Sequence, residues 1–484
     1  LFRNSNILEN NIVQTAASAG ESLSAGVIFT VPALLLIGYW QDFNYVEVAK
    51  ISAVGGIIGV LFTIPLRRAL ILEAKLLFPE GIATAEVLKT GERARSGMDT
   101  GEGIKILSMA GMTGAIMKLA QQGFAMWGSA IEAIKSFNGA IFGIGCDLSP
   151  ALLSVGYIVG RNIAILVFAG GALSWLVAIP IYSVMYGWEG DVHTAAWTIW
   201  NTKIRFLGVG AMLIGGLWSI IKLIKPILHS LQINIAVKNK DTNNDKKDLP
   251  LKYILLIISA VSFPLFMVYY NIFNTAFFSL VILIIVLILA FLFSSVAAYM
   301  AGVVGSSNNP ISGITILTIL LSALFINYMA FESSHGMVAS VLFGAIICCS
   351  SAIAGDNMQD LKTGYLLGAT PWKQQIMQII GTVSSALTIT FILNVLHSAY
   401  TIGSESLPAP QASLMKSVVE GVFNKNLPWD WIIIGILIGF LIIFIDLIQE
   451  KRNSNFRFPV LAVAVGIYLP IGLSVPIFLG SIIS

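Results

Sequence analysis

The residues best suited to chemistry lie in Ala354 to Gln375, AGDNMQDLKTGYLLGATPWKQQ, where two acids and two lysines interrupt a chain that is otherwise largely hydrocarbon. At helical spacing Asp356, Gln359, Asp360 and Thr363 share one face, while Met358, Leu361 and Tyr365 share the opposite one. Apolar runs long enough to cross a bilayer flank the stretch on both sides. The pattern predicts an amphipathic helix inserted between two spans. An acid at membrane depth is costly unless it faces protein or water, so these carboxylates are candidates for holding a proton or contacting a ligand. A helix lying on the cytoplasmic membrane surface is the plainer alternative.

Three other polar constellations stand out. In Asn10 to Gly26, Asn11, Gln14, Ser18 and Glu21 form one stripe, and the small residues around them allow close helix approach. The stripe could be polar glue between helices, but Glu21 favours a substrate path because glue rarely needs a charge. Phe78 to Glu92, FPEGIATAEVLKTGE, places Glu80 beside a glycine after a proline and sets Glu86 three residues before Lys89. It reads as a non-spanning or re-entrant segment, or else as a polar loop. Gly302 to Gly313, GVVGSSNNPISG, sets Ser306, Ser307, Asn308 and Asn309 before Pro310, as in a discontinuous helix whose freed backbone groups line a site. Turn chemistry alone would also account for Asn-Pro.

The elements that must position these groups follow from composition. Of 484 residues 56% are hydrophobic and only 11% charged, which specifies an integral membrane protein. The net charge of +3 sits in short connections and gives no basic patch, so nucleic acid is excluded as a partner. Cys146, Cys348 and Cys349 lie in apolar runs without metal-ligand spacing to any of the four histidines. Apolar runs at Val27–Tyr39, Ile51–Leu66, Gly103–Gln121, Asn162–Val184, Ala195–Leu223, Tyr253–Tyr270, Phe277–Met300, Ile314–Phe331, Val338–Ala354, Ile376–Leu396, Ile432–Asp446 and Val460–Ile483 give about a dozen spans. Phe137–Gly160 reads as a further span, broken at Cys146–Pro150, where Asp147 either marks unwound backbone or pairs with Arg161.

The fold class is therefore all-α and polytopic. The polar stretch at 234–252, NIAVKNKDTNNDKKDLPLK, reads as a flexible cytoplasmic linker between an N-terminal half, 1–233, and a C-terminal half, 253–484. Alternation of basic and non-basic connections puts Ala354–Gln375 on the linker's side of the membrane. Leu88-Lys89-Thr90-Gly91 recurs as Leu361-Lys362-Thr363-Gly364, a faint sign of duplicated halves. With no initiator methionine and no signal pattern at Leu1, the chain is expected to begin within a longer product or after processing.

Enzyme readings find little support. Asp356 and Asp360 lack the second acid-rich motif of an intramembrane prenyltransferase that binds a metal diphosphate. Ile353-Ala354-Gly355-Asp356 lacks the first glycine of an intramembrane aspartyl protease, and neither an HExxH motif nor a P-loop occurs.

Taken together, five stretches resemble the oligopeptide transporter (OPT) family, in wording closest to its bacterial branch and related to the yellow stripe-like metal-chelate transporters. They are ENNIVQTAASAGESLSAGVIFTVPALLLIG from Glu9, FPEGIATAEVLKTGE from Phe78, GSSNNPISGITI from Gly305, AGDNMQDLKTGYLLGATPWKQQ from Ala354 and FPVLAVAVGIYLPI from Phe458. The resemblance implies a multi-pass α-helical secondary transporter of the bacterial cytoplasmic membrane with about 12 to 16 spans. Further hydrophobic sequence precedes the Asn-Asn stretch in that family. It also implies proton-coupled import of short peptides, modified peptides or metal chelates, with no bound cofactor; a homo-oligomer is compatible with it. Asp356, Asp360, Glu80 and Glu86 are then the proton-coupling candidates. Asn11, Gln14, Ser18, Glu21, Lys89, Ser306, Ser307, Asn308, Asn309, Asn357, Gln359 and Lys362 are the substrate-binding candidates. With no Met or His cluster to strip a metal, a chelate would be bound intact. A passive channel is the remote rival.

Overall fold

The computed structural model describes residues 5–95, 102–236, 247–306, 309, 311–329, 331, 333–404, 407, 409–454 and 456–483. Helix α1 (Ile7–Leu36) starts from a capping box in which Asn6 Oδ1 accepts from Glu9 N and Glu9 Oε2 from Asn6 N. Helix α2 (Tyr45–Arg67) is capped by the Asn44 side chain and runs on through a π-helical turn, Arg68–Glu73. Helices α3 (Pro79–Arg95) and α4 (Glu102–Lys118) precede a hairpin, β1 (Ala130–Phe137) and β2 (Ala140–Asp147), paired antiparallel from Ala130 opposite Asp147 to Phe137 opposite Ala140.

Then come α5 (Pro150–Val159), α6 (Arg161–Ala172), α7 (Ile179–Tyr186), α8 (Val192–Ile199), α9 (Arg205–Ala236), α10 (Leu251–Phe273), α11 (Ala276–Val304) and α12 (Ile311–Tyr328). Helices α13 (Ser333–Leu367), α14 (Pro371–Tyr400), α15 (Pro410–Phe423), α16 (Trp429–Lys451), α17 (Val460–Tyr468) and α18 (Ile471–Ile483) complete the chain. Eight helical segments among the described residues are long and apolar enough to cross a membrane. The remaining apolar sequence is divided among shorter helices such as Gly313–Tyr328 and Ile471–Ile483.

Two expectations are corrected. Ala354–Gln375 is no separate insertion between spans: its first part is the second half of α13, continuous with the apolar run from Val338, and its last residues begin α14. Its two faces are not divided between polar and apolar surroundings, because Met358 and Leu361 are as buried as Asp360, and of the three residues of the apolar face Tyr365 alone reaches the surface. The second correction concerns Phe137–Gly160, which is no broken span. Asn138-Gly139 takes positive φ of 49° and 84°, the conformation of a tight hairpin turn between alternating strands, and a helix starts only at Pro150. Of the expected linker, residues 237–246 lie outside the described residues.

The chain forms two compact units, Leu1–Glu92 with Ser219–Leu427, and Arg93–Trp218 with Pro428–Ser484. Each draws on chain from both sides of 234–252. In the first, α13 is the axis, packed against α1, α2, α11, α12 and α15. Its most apolar window is 94% buried, against 11% for α10, which distinguishes a central helix from a peripheral one. Glycines permit this approach: a Cβ on Gly59 would lie 2.5 Å from Ser350 O, and one on Gly26 would lie 2.8 Å from Cys349 Cα. In the second unit, α6 and α18 pack with α17, α5 and β2 around Trp175, Trp200 and Ile467. There Arg205 Nη2 donates to the Tyr468 hydroxyl at 2.6 Å, and the guanidinium lies over the Trp200 and Tyr468 rings.

Gly59→Leu should overpack the α2–α13 contact and cost about 1–3 kcal/mol. Thermal unfolding of the purified variant checks this; an unchanged midpoint would contradict the close packing.

Candidate functional site

The lower half of α13 carries Asn357, Gln359, Asp360 and Lys362 in a setting where all four are at most 9% exposed. A buried polar group without a partner costs about 1–3 kcal/mol, so neighbouring helices must supply the partners. They do so on two sides.

Toward α3 and α11 the partners are mostly backbone. Gly81, in the first turn of α3, donates its N–H to Gln359 Oε1 at 2.8 Å, and Gln359 Nε2 donates to Ala301 O at 2.8 Å. Thr363 Oγ1 donates to Gly81 O at 2.9 Å. The glycine is required at 81, since a Cβ there would lie 2.5 Å from Gln359 O. Lys362 Nζ donates to Leu76 O at 2.9 Å. Glu80 accepts from the Ser306 N–H at 2.9 Å and from the Ser306 hydroxyl, tying the start of α3 to the gap between α11 and α12.

Toward α1 and α14 the partners are side chains. Ser22 donates its hydroxyl to Asp356, and Gln14 Nε2 donates to Asp360 Oδ1 at 2.6 Å. Gln374 Nε2 bridges Thr15 Oγ1 at 3.1 Å and Asp360 O at 3.0 Å, while Gln378 Nε2 donates to Asn357 O at 3.3 Å. No ion pair to Asp356 or Asp360 occurs among the described residues. The nearby lysines are engaged elsewhere, Lys362 on a carbonyl and Lys373 over the Trp372 ring. The acids are therefore held by neutral donors, an arrangement in which a carboxylate can gain or lose a cation without breaking a salt bridge.

The structure thus brings Asp356, Asp360 and Glu80 together with Gln14, Ser306, Asn357, Gln359 and Lys362. Ser18 lies within reach of Asp360, and Glu21, exposed near the middle of α1, is within electrostatic reach of both α13 acids. Asn309 Nδ2 donates to Ala297 O at 3.2 Å and lies against Gly355. Asn11 is fully buried on α1, one turn before Gln14. Glu86 and Lys89 are not drawn in: they face each other at 3.7 Å on the exposed side of α3. Ser307 and Asn308 lie outside the described residues.

Sequence reasoning missed Thr15, Ser22, Gln374 and Gln378, although Gln374, Gln378 and Thr382 recur at four-residue spacing through α14 and could have been read as a stripe. It also missed a partly buried pair. Arg67 Nε and Nη2 donate to Asp248 at 2.6 and 2.8 Å, with Gln375 Nε2 donating to the same carboxylate at 2.7 Å.

Residues 2–484 match the family model described as "OPT oligopeptide transporter protein". The chain is 35% identical over 517 residues to a Haemophilus influenzae protein named "Putative oligopeptide transporter", covering all of this chain and 81% of that protein. It is 24% identical over 528 residues to "Probable metal-nicotianamine transporter YSL13" of Oryza sativa subsp. japonica, covering 98% of this chain and 70% of that protein.

Gln359→Leu keeps the side chain's bulk but strands the Gly81 N–H, while the Ala301 carbonyl keeps its bond from the Gly305 N–H at 3.1 Å. At about 1–3 kcal/mol for that stranded group, the unfolding midpoint of the purified variant should fall below that of the wild type; an equal midpoint would show that Gln359 does not hold the start of α3.

Proposed function

The chain belongs to the OPT oligopeptide transporter family, and we propose that it is a proton-coupled symporter that imports short peptides or peptide-like compounds by alternating access across a bacterial cytoplasmic membrane. It is a multi-pass membrane transporter, not an enzyme. The observation that carries the coupling proposal is the acid pair on α13, buried within the first unit and held by Ser22 and Gln14 in place of a cationic partner.

Asp356 is the better-placed proton carrier. It is less buried than Asp360, and Glu80 and Glu21 lie within electrostatic reach of it. A proton held on Asp356 would leave when those surroundings change. Substrate binding supplies such a change. Lys362 uses one of its three N–H donors on Leu76 O, which leaves donors for a substrate carboxylate. Ser306, just beyond α11 and bound to Glu80, is the group that would shift when a peptide group competes for those hydrogen bonds.

The second substrate reading is an intact metal–nicotianamine chelate, favoured by the resemblance to the rice relative. A chelate presents carboxylates and amines much as a short peptide does, so the same donors would serve it.

Proteoliposomes loaded by an imposed pH gradient test both readings. Short peptides and an iron–nicotianamine chelate are offered separately, and one of them should accumulate. Asp356→Asn should cut gradient-driven accumulation by roughly tenfold or more, the loss of about 1.4 kcal/mol of coupling or greater, while substrate exchange at equal pH persists. Full accumulation by Asp356→Asn would remove the coupling assignment.

A further inference from the structure

The second unit carries an apolar groove. It lies between α6, the π-helical turn Leu173–Ala178 that follows it, and α18, and it encloses about 660 Å³, within the size range of ligand pockets. Phe168 of α6 and Phe478 of α18, stacked with ring centroids 4.7 Å apart, form one wall. Every lining residue is apolar, so the groove offers no side-chain donor or acceptor to the N–H and C=O groups of a peptide. Only Ala169 and Ala172 are small, whereas contacts between membrane helices favour small residues and interhelical hydrogen bonds. A hydrocarbon chain needs neither.

One end of the groove is charged. On α6, Arg161, Ile165, Phe168 and Ala172 follow at intervals of four, three and four residues and so share one face, the face that lines the groove. Arg161 and Ile165 are neighbours on it, about 5–6 Å apart at Cβ, and a side chain there leans toward the helix N-terminus, away from the apolar lining. Arg161 is exposed and makes no ion pair or side-chain hydrogen bond among the described residues. Asp147, the acid that the sequence offered it, lies against Gly472. Arg161 also opens the segment Arg161–Tyr186, 26 residues long and apolar enough to cross a membrane, which sets it at headgroup level with the groove beyond it. From Ile165 to Val177 the groove runs about 18 Å along the helix axis, close to the roughly 15 Å of hydrocarbon in one leaflet.

We propose that the groove binds one acyl chain of an anionic phospholipid whose phosphate is held at Arg161. A guanidinium pairs with a phosphate through parallel N–H donors, and the positive end of the α6 dipole adds to the attraction. At the other end of the segment, residues 187–191 include Glu189 and Asp191 but no Lys or Arg. The positive-inside rule therefore assigns Arg161 to the cytoplasmic leaflet, where anionic lipids concentrate.

The site goes beyond the transport reading, because its occupancy needs neither substrate nor gradient. The purified full chain in detergent micelles is titrated with phosphatidylglycerol or phosphatidylcholine of identical acyl chains, and the lipids retained are counted by native mass spectrometry. The wild type should hold one phosphatidylglycerol saturably and prefer it to phosphatidylcholine. Arg161→Gln should lower that preference roughly fivefold, the worth of one basic residue at an anionic surface. Ala172→Trp, which fills the groove, should weaken retention of both lipids. Arg452→Gln, at the exposed end of α16, should bind as the wild type does. Should Ala172→Trp fail to fold, Arg161→Gln decides the matter, since that side chain has no partner to lose. Equal retention of the two lipids by the wild type, an unchanged preference in Arg161→Gln, or the same loss in Arg452→Gln overturns the proposal. So does wild-type retention in Ala172→Trp, or a lipid-free dimer that Ala172→Trp separates, which would give the groove to a second copy of the chain.

Discussion

A helix enclosed on every side cannot leave its polar groups to solvent, and that constraint governs the first unit. α13 carries acids, amides and a lysine along its second half, yet it packs against α1, α2, α11, α12 and α15. The neighbouring helices are therefore chosen as much for their donors as for their bulk. Gly81 opens the start of α3 so that its N–H can reach Gln359, Ala301 offers its carbonyl to the same side chain, and Leu76 offers one to Lys362. The glycines of α1 and α2 bring backbone close enough for this to work.

The acids of the chain fall into two chemical groups. Asp248 is clamped bidentately by Arg67 and Asp446 by Arg457, with Gln375 and the Phe458 N–H adding further donors. A carboxylate fixed in this way serves as a tie. Asp356 and Asp360 receive neutral donors, chiefly the Ser22 hydroxyl and the Gln14 amide. Such a carboxylate is not fixed by a cation as Asp248 and Asp446 are.

Much of this was legible in the sequence, for definite reasons. The apolar runs at α1, α2, α10, α11 and α14 are long enough for hydropathy alone to mark them. Glu80, Ser306, Gln14, Asp356 and Asp360 stood out because charge or amide is rare in such surroundings. What periodicity could not reveal was that α13 is buried all round: a polar face beside an apolar face reads as amphipathic whether the polar face meets water or other helices. The hairpin was hidden by its apolar strands, which read as part of a span, although Asn138-Gly139 carried the turn signal. Arg67 and Asp248 are 181 residues apart, and no local pattern links them.

The central claim is that substrate and proton move together, and the most direct measurement is internal pH. Proteoliposomes containing the protein and a trapped pH-sensitive dye, with no imposed gradient, receive a transported peptide or chelate from outside. Coupled entry predicts substrate-dependent acidification of the interior that a protonophore abolishes. Substrate entry with no change in internal pH would contradict the account.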